Sequence, residues 1–111
     1  MKIKTSELTE AALDWAVAKC LEIEWWAAED PRDGLFFDRD RTMRFSPSTN
    51  WSQGGPIFER ERINPEPFED INGEQWCANG EWDSPTPLIA AMRCFVASRL
   101  GDEVDIPEEL T

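Results

Sequence analysis

Twelve consecutive residues carry no charge: Phe45-Ser46-Pro47-Ser48-Thr49-Asn50-Trp51-Ser52-Gln53-Gly54-Gly55-Pro56. The chain around them is crowded with acids and bases, so this interruption constrains the fold more than any other feature. A proline stands near each end, and Gly54-Gly55 adds a flexible backbone. Together they read as a loop. The loop supplies hydroxyls, amides and one large aromatic, with Arg60 and Arg62 close behind. That inventory suits wrapping and hydrogen-bonding a polar ligand. It is poorly suited to making or breaking a bond.

With 111 residues and 41% hydrophobic composition, the chain fits a single domain with a modest core. Eleven Lys and Arg oppose 23 Asp and Glu, a formal net charge of -12. Direct nucleic-acid binding needs a basic footprint, so it is not expected, and neither is attraction to an anionic membrane. Two meanings of the charge stay open. One is solubility through self-repulsion. The other is mimicry of a polyanion, aimed at the basic groove of a host protein. No run of 18 apolar residues exists to span a membrane, and Met1-Lys2-Ile3-Lys4 lacks the apolar run of a signal peptide. Cys20, Cys77 and Cys94 have no C-x-x-C spacing, which suits reduced thiols in a cytoplasm.

The pattern predicts an α+β fold: one small antiparallel sheet packed against two main helices, in a single domain spanning 1–111. A short first strand is expected within Met1 to Leu8. Leu13, Ala16, Val17, Cys20 and Leu21 form an apolar stripe at helical spacing, so a helix is expected from about Thr9 to Ile23. Glu10, Asp14 and Glu22 fall on its polar face. Leu35-Phe36-Phe37 and Thr42-Met43-Arg44-Phe45 read as strands joined by the charged link 38–41. Ile57-Phe58-Glu59-Arg60 reads as a short strand or extended exit from the loop, and Asn64 to Asn72 as an exposed connector. Gln75 to Asp83 is a hairpin signal, because Asn79-Gly80 tolerates the positive φ of a type I′ turn. That turn would set Cys77 opposite Trp82. The last helix has Thr86 as N-cap, Pro87 at its first position and Gly101 as stop. Glu103 to Pro107 alternates as an edge strand.

Histidine is absent, which removes the usual general base and the commonest metal ligand. No metal and no cofactor are expected; Cys20 and Cys94 read as core thiols, and Cys77 in the hairpin as the reachable one. No pair of carboxylates stands out for acid–base work, and a Ser-His-Asp arrangement cannot exist. No catalytic residue is assigned. Gly54-Gly55 is either a plain turn or a nest of N–H groups facing an anion. Trp15, Trp76 and Trp82 read as core and hairpin packing. Trp51 differs, because inside a polar loop it can stack on a planar ring. The adjacent Trp25 and Trp26 diverge, which leaves a partner or homo-oligomer surface open.

Four segments carry a resemblance to a known family. They are Met1–Leu8, Ala12–Lys19 (Ala-Leu-Asp-Trp-Ala-Val-Ala-Lys), Phe45–Ile57, and the long run Thr86–Val104. In them the chain resembles the NinX-like family of small phage and prophage proteins, a family of unknown function. The resemblance implies a phage-derived gene acting in a bacterial host cytoplasm and brings no activity with it. The chain departs from the family mainly in 24–44 and 59–83. Phe45 stands where family members usually carry an aromatic hydroxyl.

The expectation is a non-enzymatic phage accessory protein in counter-defence that sequesters a small, nucleotide-derived ligand through 45–57. Trp51 would stack on the base. Ser46, Ser48, Thr49, Asn50 and Gln53 would hydrogen-bond ribose or phosphate, with the Gly54-Gly55 backbone turned toward an anion. Arg60, and less directly Arg93, would offset phosphate charge, although Arg93 also fits a solvated helix position. A second expectation is an acidic inhibitor of a host nucleic-acid-binding defence protein, of the anti-CRISPR or anti-restriction type. There Asp38, Asp40, Glu66, Glu69, Asp70 and the C-terminal acids would matter. A third is a hydrolase of the same kind of nucleotide signal.

Overall fold

The computed structural model describes residues 2–27, 34–36, 39–40, 42–63, 65–70, 73–78, 81–84 and 86–110. Its elements run β1 (Lys2–Lys4), a 3-10 turn (Thr5–Glu7), α1 (Glu10–Leu21), β2 (Trp26–Ala27), β3 (Leu35–Phe36) and β4 (Arg44–Phe45). They continue with α2 (Trp51–Glu61), β5 (Pro65–Asp70), β6 (Gly73–Ala78), β7 (Glu81–Ser84), α3 (Pro87–Leu100), β8 (Glu103–Asp105) and a last 3-10 turn (Glu108–Leu110). The fold is α+β, as the sequence pattern predicts. It differs in detail, with three helices and three small antiparallel sheets among the described residues.

α3 is the central element. It begins at the predicted cap, where the Thr86 hydroxyl oxygen accepts the Ile89 N–H at 3.1 Å and Pro87 occupies the first turn. It packs on α1 and α2, and lies against all of β5, β6 and β7. Leu13, Ala16 and Val17 of α1 meet Met92, Phe95 and Val96 of α3 in one core, each at most 1% exposed. Small residues on both helices, Ala11, Ala12, Ala18, Ala90 and Ala91, allow close approach and are buried as well. The expected first and last strands pair antiparallel as β1 and β8, with Ile3 opposite Val104. Thr5 fastens that junction, its N–H bonding to the Asp102 carbonyl at 2.7 Å and its hydroxyl to the Gly101 carbonyl at 2.6 Å.

The neutral stretch is not a loop through its length. It leaves β4 by a turn and becomes α2, so Gly54, Gly55 and Pro56 all lie within a helix. The Ile57–Arg60 strand is likewise corrected to helix. Tertiary packing overrides the weak propensity of Gly-Gly-Pro. Gly54 sits so close to α3 that a Cβ there would lie 2.5 Å from both Leu88 Cδ1 and the Pro47 carbonyl oxygen. Ile57 is buried one turn further on. The connector 64–72 is corrected as well, because Pro65–Asp70 is a strand paired along its length with β6. Its two prolines cost little on an edge strand, which need not donate on both sides.

β6 and β7 form the expected hairpin, with Ala78 opposite Glu81. An irregularity between Trp76 and Ala78 shifts the register, and the expected Cys77–Trp82 pair falls within it. The Asn79-Gly80 turn, and the side chains of Trp76, Cys77 and Trp82, lie outside the described residues. β2, β3 and β4 make the third sheet, with Phe36 opposite Arg44. Cys20 and Cys94 are half-buried against the core. No helix among the described residues is long and apolar enough to cross a membrane.

Candidate functional site

The turn between β4 and α2 is built from the neutral residues themselves. The Ser46 carbonyl accepts the N–H groups of Thr49 and Asn50 at 3.1 and 2.8 Å. Asn50 then caps α2, its Oδ1 accepting the Ser52 N–H at 3.0 Å and the Ser52 hydroxyl at 2.6 Å. Gln53 reaches back from the first turn. Its Oε1 accepts the Ser46 N–H and its Nε2 donates to the Arg44 carbonyl, both at 2.6 Å. One side-chain amide thus pairs the end of β4 as a neighbouring strand would.

Ser48 turns inward and is only 1% exposed. Its N–H donates to Asp14 Oδ1 at 2.9 Å. Asp14 is not on a polar face, as its spacing suggested; it is 5% exposed. Burial pushes its carboxyl up to about 6, against the lowering pull of Ser48 and of the Arg44 charge. The Ser48 hydroxyl lies near enough to favour the ionised carboxylate, yet completes no well-formed hydrogen bond among the described residues.

A cleft of about 600 Å³ opens over Asp14, lined by Glu10, Ala11, Asp14, Gly34, Arg44, Phe45, Ser46 and Thr49. Glu10 borders it from a left-handed backbone, φ 53°. Gly34 has φ 133°, and a Cβ on it would lie 2.8 Å from Arg44 Nη2, so the guanidinium rests against bare backbone. The same guanidinium is 5.9 Å from the Phe36 ring centroid. Thr49 also lines a smaller cavity of about 180 Å³, together with Ser48, Trp51, Thr86, Pro87, Leu88 and Ile89. Trp51 is 55% exposed there.

The expected site residues therefore divide. Ser46 and Thr49 line the cleft, Ser48 lies behind it, and Trp51 stands over the neighbouring cavity. Asn50 and Gln53 are engaged in building the turn. Gly54 donates its N–H to the Asn50 carbonyl at 2.9 Å and is enclosed, whereas a Cβ on Gly55 would meet nothing. Arg60 sits at the opposite end of α2 from Trp51, nine residues or roughly 13 Å along the axis. There it pairs with Glu61 at 3.2 Å. Arg93 is not solvated: it is 6% exposed and its Nε donates to the Leu8 carbonyl at 2.8 Å. Burial lowers its guanidinium pKa, and Glu7 partly offsets this.

Asp14, Arg44, Glu10 and Gly34 were missed. A signal existed for Asp14, since Ala11 and Ala18 flank it at i−3 and i+4 and extend the apolar surface around it. Arg44 carried none, because nothing in the sequence set Gly34 beneath it. The cleft brings together the buried Asp14 carboxylate, Glu10, the Arg44 guanidinium and the hydroxyls of Ser46 and Thr49. No cluster of three or more metal-binding side chains occurs among the described residues.

Fold and cleft together define a small α+β protein with a polar recess at a strand-to-helix turn. The family model for bacteriophage P22 NinX matches residues 4–99, and the chain belongs to that family. No curated protein matches it.

Proposed function

We propose that this is a phage accessory protein that works by binding and not by catalysis. It holds a small, nucleotide-derived ligand in the host cytoplasm and thereby blunts a host defence. The observation that carries this reading is the shared wall at Thr49, with a polar cleft of about 600 Å³ on one side and an indole-flanked cavity on the other. The larger volume falls within the roughly 300–1,000 Å³ range of small-molecule sites. A ligand with a sugar-phosphate and a ring would use both sides of Thr49, with the phosphate toward Arg44 and the ring toward Trp51. The overall charge of -12 opposes an anion at long range. Screening within about 8–10 Å leaves Arg44 in control locally.

Mass spectrometry of small molecules released by heating protein purified from phage-infected cells tests the reading. Wild type and Arg60→Ala should release the same intact compound, and Arg44→Ala and Trp51→Ala should release much less. Absence of any released compound from wild type would remove the reading. A cleaved product in place of an intact one would favour the hydrolase.

A further inference from the structure

We infer that Asp14 determines the specificity of the cleft, and that it selects a ligand presenting two adjacent N–H donors with an anionic group further along, as a guanine nucleotide does. The inference rests on the cleft being a ligand site and adds the chemistry of what enters it.

Asp14 is an acceptor with capacity left over. An ionised carboxylate offers about four acceptor positions. Asp14 is 5% exposed, lines the cleft, and receives one hydrogen bond of full geometry among the described residues, from the Ser48 N–H. None of the ion pairs among the described residues involves it. Arg44 reaches it only through longer-range attraction, the weakest of the influences on its charge. Buried carboxylates are ordinarily paired or fully hydrogen-bonded, because loss of hydration is otherwise uncompensated. The Ser48 hydroxyl behind it is buried, completes no well-formed hydrogen bond among the described residues, and lies near enough to favour the ionised carboxylate, but it borders the neighbouring smaller cavity and not this cleft. A buried carboxylate with acceptor positions left over on the wall of an open recess marks a place where a ligand's polar edge belongs.

The rest of the lining narrows the choice. A simple cation would satisfy Asp14 and Glu10 but would share the cleft with the Arg44 guanidinium. An anion alone would be attracted by Arg44 and repelled by both carboxyl groups. A neutral ring edge with paired N–H groups toward Asp14, and an anion displaced toward Arg44, suits both kinds of charge. Two parallel N–H donors match the two oxygens of a carboxylate. The N1–H and 2-amino groups of guanine have that spacing. The 2-amino group is the part that inosine lacks.

The test is calorimetric titration of the full chain with guanosine 5′-monophosphate and with inosine 5′-monophosphate. Guanosine monophosphate should bind at least tenfold more tightly. Asp14→Asn keeps an acceptor for the Ser48 N–H and should erase that preference. If this variant does not fold, the two-nucleotide comparison on the unaltered chain decides alone. Equal affinity for the two nucleotides, or no binding of either at millimolar concentration, would overturn the inference. Recovery from infected cells of a ligand without a paired N–H edge would also overturn it while leaving the ligand-binding reading intact. Recovery of no ligand would end that reading instead.

Discussion

Asp14 accepts the backbone N–H of Ser48 at 2.9 Å across 34 residues of sequence. This bond joins the first helix to the turn that launches the second, so the floor and one wall of the cleft are fixed to each other. The carboxylate that makes the bond is also one that folding desolvates. Its environment therefore couples cleft geometry to stability.

Stability should depend on pH through Asp14. The Asp14 carboxyl is raised from 3.8 to about 6 on folding, so the native state holds its proton more tightly than the unfolded chain does. Between those values the native state binds more protons, and stability falls as pH rises. Moving from pH 7 to pH 5 should therefore add roughly 1 kcal/mol from this group. Glu61 and Asp105 are shifted downward, so their opposite contributions are lost only at more acidic pH. Urea denaturation at the two pH values measures the gain, and Asp14→Asn should flatten it. A wild type less stable at pH 5 than at pH 7 would contradict the assignment.

Adjacent glycines should behave oppositely. Gly54→Ala drives a methyl group into Leu88 and the Pro47 carbonyl, both 2.5 Å from the Cβ position. Backbone cannot yield as a flexible side chain can, so a loss of about 1–3 kcal/mol is expected, as for an overpacked core. Gly55→Ala meets nothing and lies in the same helix. It should gain up to roughly 1 kcal/mol through helix propensity. Thermal melts of the two variants, with circular dichroism to confirm the fold, check the contrast.

The contrast also shows what was legible in the sequence. α1 and α3 could be read because their apolar residues recur at helical spacing and Thr86, Pro87 and Gly101 mark the ends. β1 and β8 could be read from alternation. α2 could not, because local propensity and neutral composition both point to loop. What makes it a helix is non-local: Leu88 beneath Gly54, and Gln53 gripping the end of β4. β5 was hidden by prolines that an edge strand tolerates. At the site, the sequence marked the segment but not its orientation. Asn50 and Gln53 looked like ligand contacts because an amide that builds a turn and an amide that faces a ligand have the same composition. Asp14 and Arg44 were missed because their importance lies in being brought to the same recess.

Gln53 supplies a test of that structural role. Its amide accepts from Ser46 and donates to Arg44, closing the end of β4. Gln53→Ala removes both bonds and should cost about 1–2 kcal/mol at ordinary hydrogen-bond values. Gln53→Glu keeps the acceptor and loses the donor, so it should fall between wild type and Gln53→Ala. Chemical denaturation orders the three. Unchanged stability in Gln53→Ala, accompanied by lost ligand retention, would instead make Gln53 a ligand contact.

The two arginines expected to meet a phosphate should separate in the same way. Arg93 is enclosed and donates to the Leu8 carbonyl, tying α3 to the segment that precedes α1. Arg93→Met nearly preserves the volume but leaves that carbonyl without its donor, which should cost about 1–3 kcal/mol. Arg60 is 58% exposed and pairs with a neighbouring carboxylate at the surface. Exposed pairs of this kind contribute little, so Arg60→Ala should leave the melting curve unchanged. It should leave ligand retention unchanged too, because Arg60 lies a full helix length from the indole. A stable Arg93→Met that releases no ligand, or an Arg60→Ala that releases none, would move the anion site away from Arg44.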